Sequence, residues 1–101
     1  MTKIIEGKKY STETAIFVGS DSYSHYGDFR WWYEALYVKK NGEFFLRGEG
    51  GPMSRYCEMI GSNEWSGSEA IIPLDYDEAR EWAEEHLDYE TYVEYFGDIE
   101  E

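Results

Sequence analysis

Cys57, His25 and His86 are the side chains best suited to nucleophilic or acid–base chemistry in this chain of 101 residues. A thiolate nucleophile needs a neighbouring imidazole and a group that orients it. Neither histidine stands in a motif that supplies such a pair, and Cys57 lies in a strand-like run, where a buried, inert thiol is common. The expectation is a protein with no catalytic residue, not an enzyme. Carboxylates cluster at Asp75-Tyr76-Asp77-Glu78, and hard cations take oxygen ligands. That run lacks the loop and glycine of a calcium hand, and helix capping already accounts for Asp75 and Glu78. A metal-dependent nuclease would also want a basic groove, and none is evident. No metal and no cofactor are expected. Gly48-Glu49-Gly50-Gly51-Pro52 lacks the order of a phosphate-binding loop and reads as a backbone turn, able to present Glu49 and Arg55 to a partner.

Charge is the stronger signal. The formal net charge is −13, with 22 acidic residues against 9 basic ones. Residues 75–101 carry 12 of the acids against the single base Arg80, while residues 1–74 are close to balanced. A nucleic-acid binder needs the opposite sign to release counterions from phosphates. Direct nucleic-acid binding through the acidic third is therefore not expected, and a basic protein is its natural complement. If that third were wholly helical, at about 1.5 Å per residue, its acids would present roughly one net charge per 3.7 Å. One DNA strand presents about one per 3.4 Å. The competing reading is a solvated face that keeps the domain soluble.

The length and the 19 % aromatic content fit one folded domain, residues 1–101, and not a disordered acidic chain. No run is apolar enough for a transmembrane helix. The start lacks an apolar secretory core, and the lone cysteine allows no internal disulfide. The cytoplasm is the expected location, and membrane association is not expected.

The elements that must carry these charges follow from local pattern. Residues 1–74 read as sheet-rich and 75–101 as acidic and helical, giving an α+β fold. Lys3-Ile4-Ile5 and Lys8-Lys9-Tyr10 flank Glu6-Gly7 as a short hairpin. Ser11 to Ala15 could open a helical turn, yet Ile16-Phe17-Val18 prefer strand. Residues 19–28 read as a polar, aromatic-rich loop. At the centre, Asn41-Gly42 predicts a hairpin with a two-residue type I′ turn, which would set Lys40 opposite Glu43, Val38 opposite Phe45 and Leu36 opposite Arg47. Tyr56 to Ile60 and Glu69 to Leu74 read as further strands. Asp75 and Glu78 predict a capped helix with Ala79, Trp82, Ala83 and Leu87 on one stripe. Asp88 opens a second helix with Tyr89, Tyr92, Val93 and Phe96 inward, and Gly97 stops it. The outward residues are Asp77, Glu78, Glu81, Glu84, Glu85, Glu90 and Glu94, the candidate partner-binding face.

Lys3-Ile4-Ile5-Glu6-Gly7-Lys8-Lys9-Tyr10 with Thr12-Glu13-Thr14-Ala15, Gly27-Asp28-Phe29, Glu34-Ala35-Leu36-Tyr37, Gly42-Glu43-Phe44-Phe45-Leu46, Ile71-Ile72-Pro73-Leu74 and Glu78-Ala79-Arg80-Glu81-Trp82 together resemble small proteins carried by phages and mobile elements of Gram-positive bacteria. Some of that group resemble type II-A anti-CRISPR proteins, which inhibit the RNA-guided nuclease Cas9. The resemblance runs in order over nearly the whole chain and departs at Ile16-Phe17-Val18. It implies a Cas9 inhibitor whose partner is Cas9 or its guide-RNA complex, a protein that holds its heteroduplex in a positively charged channel. Alternatives are an anti-restriction DNA mimic, an enzyme that removes guide RNA, and a non-catalytic interaction module of a mobile element.

Overall fold

In a computed structural model, residues 1–25, 27–56, 58–61, 64–66 and 68–97 are described. The described elements, in order, are β1 (Thr2–Ile5), β2 (Lys8–Ser11), β3 (Ile16–Tyr23), β4 (Trp32–Val38), β5 (Phe44–Gly50), β6 (Glu58–Gly61), β7 (Glu64–Ser66), β8 (Ser68–Leu74), α1 (Tyr76–His86) and α2 (Tyr89–Phe96). The fold is α+β. Its spine is an antiparallel sheet in the order β3-β4-β5-β8, with two separate hairpins, β1-β2 and β6-β7.

The turn Glu6-Gly7 takes positive φ at both residues, 51° and 79°, the requirement of a type I′ turn. Asn41-Gly42 does something else. Only Gly42 has positive φ, at 92°. Gly42 N–H donates to the Lys39 carbonyl at 2.9 Å, and Lys39 N–H donates to the Glu43 carbonyl at 2.7 Å. This is a three-residue loop, a type I turn closed by a positive-φ glycine. Asn41 keeps a negative φ, and its Oδ1 accepts Glu43 N–H at 3.0 Å across the loop.

The extra loop residue shifts the expected register by one. Val38 stands opposite Phe44, Tyr37 opposite Phe45 and Leu36 opposite Leu46. A one-residue slip exchanges the two faces of a strand, so the correction decides which side chains meet which layer. Leu36, Phe44 and Leu46 join Val18, Ala79 and Trp82 in one cluster, packed by Val38, Ile72, Leu74, Leu87, Tyr95 and Phe96. Phe45 and Ile71 join Tyr10 on the opposite face, under Met1, Ile5 and Ala15. The sheet is thus covered by the helices on one side and by the β1-β2 hairpin on the other.

A second correction concerns residues 19–28. Strand β3 continues to Tyr23, pairing Ser20 with Ala35 and Ser22 with Tyr33. Its polar side chains are tolerated because β3 is an edge strand. Ser11 ends β2, and the residues after it form a turn and not a helix.

The helices start where capping chemistry dictates. The Asp75 carboxylate accepts Glu78 N–H at 2.8 Å and the Glu78 carboxylate accepts Asp75 N–H at 3.0 Å. Asp88 accepts Thr91 N–H at 2.8 Å, and Gly97 ends α2 with φ 82°. Their inward side is aromatic: Phe96 stacks on Phe44 at 5.2 Å and meets Tyr76 at 5.6 Å.

Candidate functional site

Helix α1 buries Ala79, Trp82 and Ala83, while Leu87 after it and Tyr95 and Phe96 of α2 lean on the core. The 3.6-residue period then places every acid of the expected face outward. Asp77, Glu78, Glu81, Glu84, Glu85, Glu90 and Glu94 are all exposed. Internal countercharge is sparse. Arg80 reaches Asp77 at 3.7 Å, and His86 Nε2 lies 3.7 Å from Glu85. Between the helices a groove of about 260 Å³ is lined by Ala83, Glu84, Leu87, Asp88, Tyr89 and Tyr92. Tyr92 donates its hydroxyl to Glu84 at 3.2 Å, which fixes one carboxylate at the rim above an aromatic wall.

Glu49 and Arg55 do not join this face. Glu49 pairs with Arg47 at 3.3 Å, and Arg47 also bonds Glu69 at 2.7 Å. This trio stands on the sheet face away from the helices, as the alternation from buried Phe45 requires. Arg55 instead reaches the Glu34 carboxylate at 3.2 Å.

Glu34 is the polar centre that sequence reasoning missed. It is 4 % exposed, midway along an apolar strand. Three donors converge on it: the Tyr56 hydroxyl, Trp82 Nε1 at 2.8 Å and Arg55 at 3.2 Å. A buried carboxylate is tolerated when its lone pairs are met in this way. Burial, and then the Glu34 carboxylate, push the Tyr56 phenol up, so it remains a donor. Gly48 makes the approach possible, because a Cβ there would lie 2.0 Å from the Tyr56 hydroxyl. The available signal was one charged residue inside Trp32-Tyr33-Glu34-Ala35-Leu36, though nothing local names its partners.

Beside this cluster, His86 Nδ1 and Asp21 Oδ2 are 2.8 Å apart, and the imidazole packs on Trp82 at 4.7 Å and Trp32 at 5.7 Å. The hydrogen bond to His86 holds the Asp21 carboxyl below its ordinary range. A histidine oriented by a carboxylate is half of a nucleophile-activating system. The nitrogen that would serve a nucleophile faces Glu85, while Cys57 lies outside the described residues. His25 sits in the loop after β3, its Nδ1 accepting Gly27 N–H at 3.2 Å. Among the described residues no group of three or more His, Cys, Asp or Glu side chains is placed to hold a metal ion. No helix among them is long and apolar enough to cross a membrane.

The chain matches no protein-family model, no curated protein and no solved structure with which it was compared.

Proposed function

We propose that this protein is an inhibitor of anti-CRISPR type, acting in the bacterial cytoplasm by binding a basic, nucleic-acid-handling protein, Cas9 or its guide-RNA complex, through the outer face of α1 and α2. The observation that carries the reading is the row of seven exposed carboxylates on two capped helices with almost no internal countercharge. Asp77, Glu81 and Glu84 follow one another at helical spacing and present a single stripe. Such a stripe complements a channel built for a nucleic-acid backbone. The groove beside it suits an incoming lysine or arginine, with carboxylates at the rim and tyrosine rings for the cation to rest on. Like charge excludes nucleic acid itself from this face.

The test is DNA cleavage by guide-loaded Cas9, titrated with the protein, together with a pull-down on guide-free and guide-loaded Cas9. The expected result is inhibition that saturates near one inhibitor per nuclease and weakens as salt rises. Inhibition at far below one equivalent would point to an enzyme that removes guide RNA. Absence of both binding and inhibition would remove Cas9 as the partner.

A further inference from the structure

The surface opposite the helices carries a different charge. All five lysines of the chain, Lys3, Lys8, Lys9, Lys39 and Lys40, lie in β1-β2 or the β4-β5 turn. The two hairpins meet, and at their junction a pocket of about 280 Å³ is walled by Lys9, Ser11, Thr14, Lys39, Lys40 and Asn41. Among the described residues no carboxylate lines it. The nearby acids are already engaged: Glu43 accepts from Lys8 at 2.8 Å, Lys39 at 3.3 Å and Asn41 at 2.8 Å, and Glu13, beside Thr14, pairs with the N-terminal ammonium at 3.9 Å. Lys39 is held in place over the Tyr10 ring, 3.7 Å from its centroid. Lys9 and Lys40 make no ion pair among the described residues.

We propose that this pocket binds a phosphoryl group. In a chain with 22 acids, two ammonium groups without a carboxylate partner beside a third, pre-oriented one leave a local excess of positive charge that an external anion would balance. Ammonium groups recognise phosphate as point charges, and hydroxyls complete the shell. The Ser11 hydroxyl accepts from Thr2 Oγ1 at 3.0 Å and Glu13 N–H at 3.2 Å, which leaves its own proton to donate. Thr14 adds an exposed hydroxyl at the rim. The acidic helices do not cancel the site. They lie across the sheet, and layers pack about 10 Å apart while the Debye length is about 8 Å at physiological salt. The site is independent of the acidic face and of the partner proposed for it.

Inorganic pyrophosphate is the probe, titrated into the intact protein with backbone amide shifts followed by NMR. The expected result is saturable binding that moves Lys9, Thr14, Lys40 and Asn41, weakened about a hundredfold in Lys9→Ala/Lys40→Ala, since losing each charge-assisted bond costs about tenfold. A Lys3→Ala/Arg30→Ala control removes the same charge elsewhere and should bind as the parent does. Equal loss in the control, or non-saturable shifts spread over the surface, would overturn the proposal. A second arm adds a short single-stranded oligonucleotide. Competition with pyrophosphate assigns the phosphoryl group to a nucleic-acid backbone, and pyrophosphate binding without competition assigns it to a free phosphate compound.

Discussion

The two covers of the central sheet differ in almost every respect. The helical cover lies on the larger apolar cluster, anchored by Trp82 against Val18, Leu36, Phe44 and Leu46, and its outside is acidic. The hairpin cover lies on the smaller cluster of Tyr10, Phe45 and Ile71, and its outside holds the lysines. Charge on the helices stands mostly unpaired, whereas Glu43 beneath the hairpins is shared among Lys8, Lys39 and Asn41. The contrast teaches that net charge describes neither surface of this molecule. Anchoring is an inward property and recognition an outward one, and one amphipathic element carries both because its two faces are separately specified.

The comparison breaks most readily at its anchor. Trp82→Ala should destabilise the protein by about 4–5 kcal/mol, because it leaves a cavity and withdraws a donor from buried Glu34. Denaturant unfolding measures this. Tyr10→Ala, under the smaller cluster, should cost less, and an equal or larger loss would reverse the ranking of the two covers.

A smaller effect separates recognition from anchoring. Asp77→Lys/Glu81→Lys/Glu84→Lys should weaken partner binding by about 3 kcal/mol or more, since like charges would face each other across the interface. Its melting temperature should stay close to the parent's, because these side chains point away from Ala79, Trp82 and Ala83. A folded triple variant with unchanged affinity at every salt concentration would make the helical face a solvated one.

Capping should have a lesser effect again. Asp75→Ala removes both the acceptor for Glu78 N–H and half of the reciprocal box, and should lower stability by about 1 kcal/mol. The smallest effect concerns pH and the hairpin cover. Hydrogen bonds from Lys8 and then Asn41 hold the Glu43 carboxyl down at about 2, against an ordinary 4.5. A group depressed in the folded state contributes stability above its unfolded value and loses it as pH falls toward its folded one. The stability difference between the parent and Glu43→Gln should therefore be constant above about pH 5 and shrink between pH 4.5 and 2. A difference that is flat across that window would show that the pairing contributes nothing.

The sequence disclosed best what is decided locally. Asp75 with Glu78, Asp88, and the spacing of Ala79, Trp82 and Ala83 specify helix starts within a few residues, so α1 and α2 stand where the pattern put them, but the face of α2 differs: Tyr95 joins Phe96 against the core and the expected Tyr89 is exposed. The seven outward acids follow from the same period. Strand β3 was hidden because Gly19-Ser20-Asp21-Ser22 has no strand propensity of its own; its conformation comes from hydrogen bonds to β4. The central turn misled because Asn-Gly serves two loop lengths, and here the Asn41 side chain bonds Glu43 across the longer one. Glu34 and its donors were illegible for a further reason: Arg55, Tyr56 and Trp82 are 21, 22 and 48 residues away. The lysine pocket likewise exists only once two hairpins meet.

Glu34 has a consequence for how the chain reaches its native state. Its three donors arrive from a loop after β5 and from α1, so no single segment can satisfy it. A molecule that has formed β3-β4-β5 but has not docked α1 holds a carboxylate short of a partner at the edge of an apolar layer. Closing the helix over that layer without Trp82 Nε1 in place would strand the group away from water, at a penalty of about 1–3 kcal/mol or more for a charge. Half-docked arrangements are thereby penalised relative to both open and complete ones. The same carboxylate that anchors the docked helix thus disfavours its partial docking.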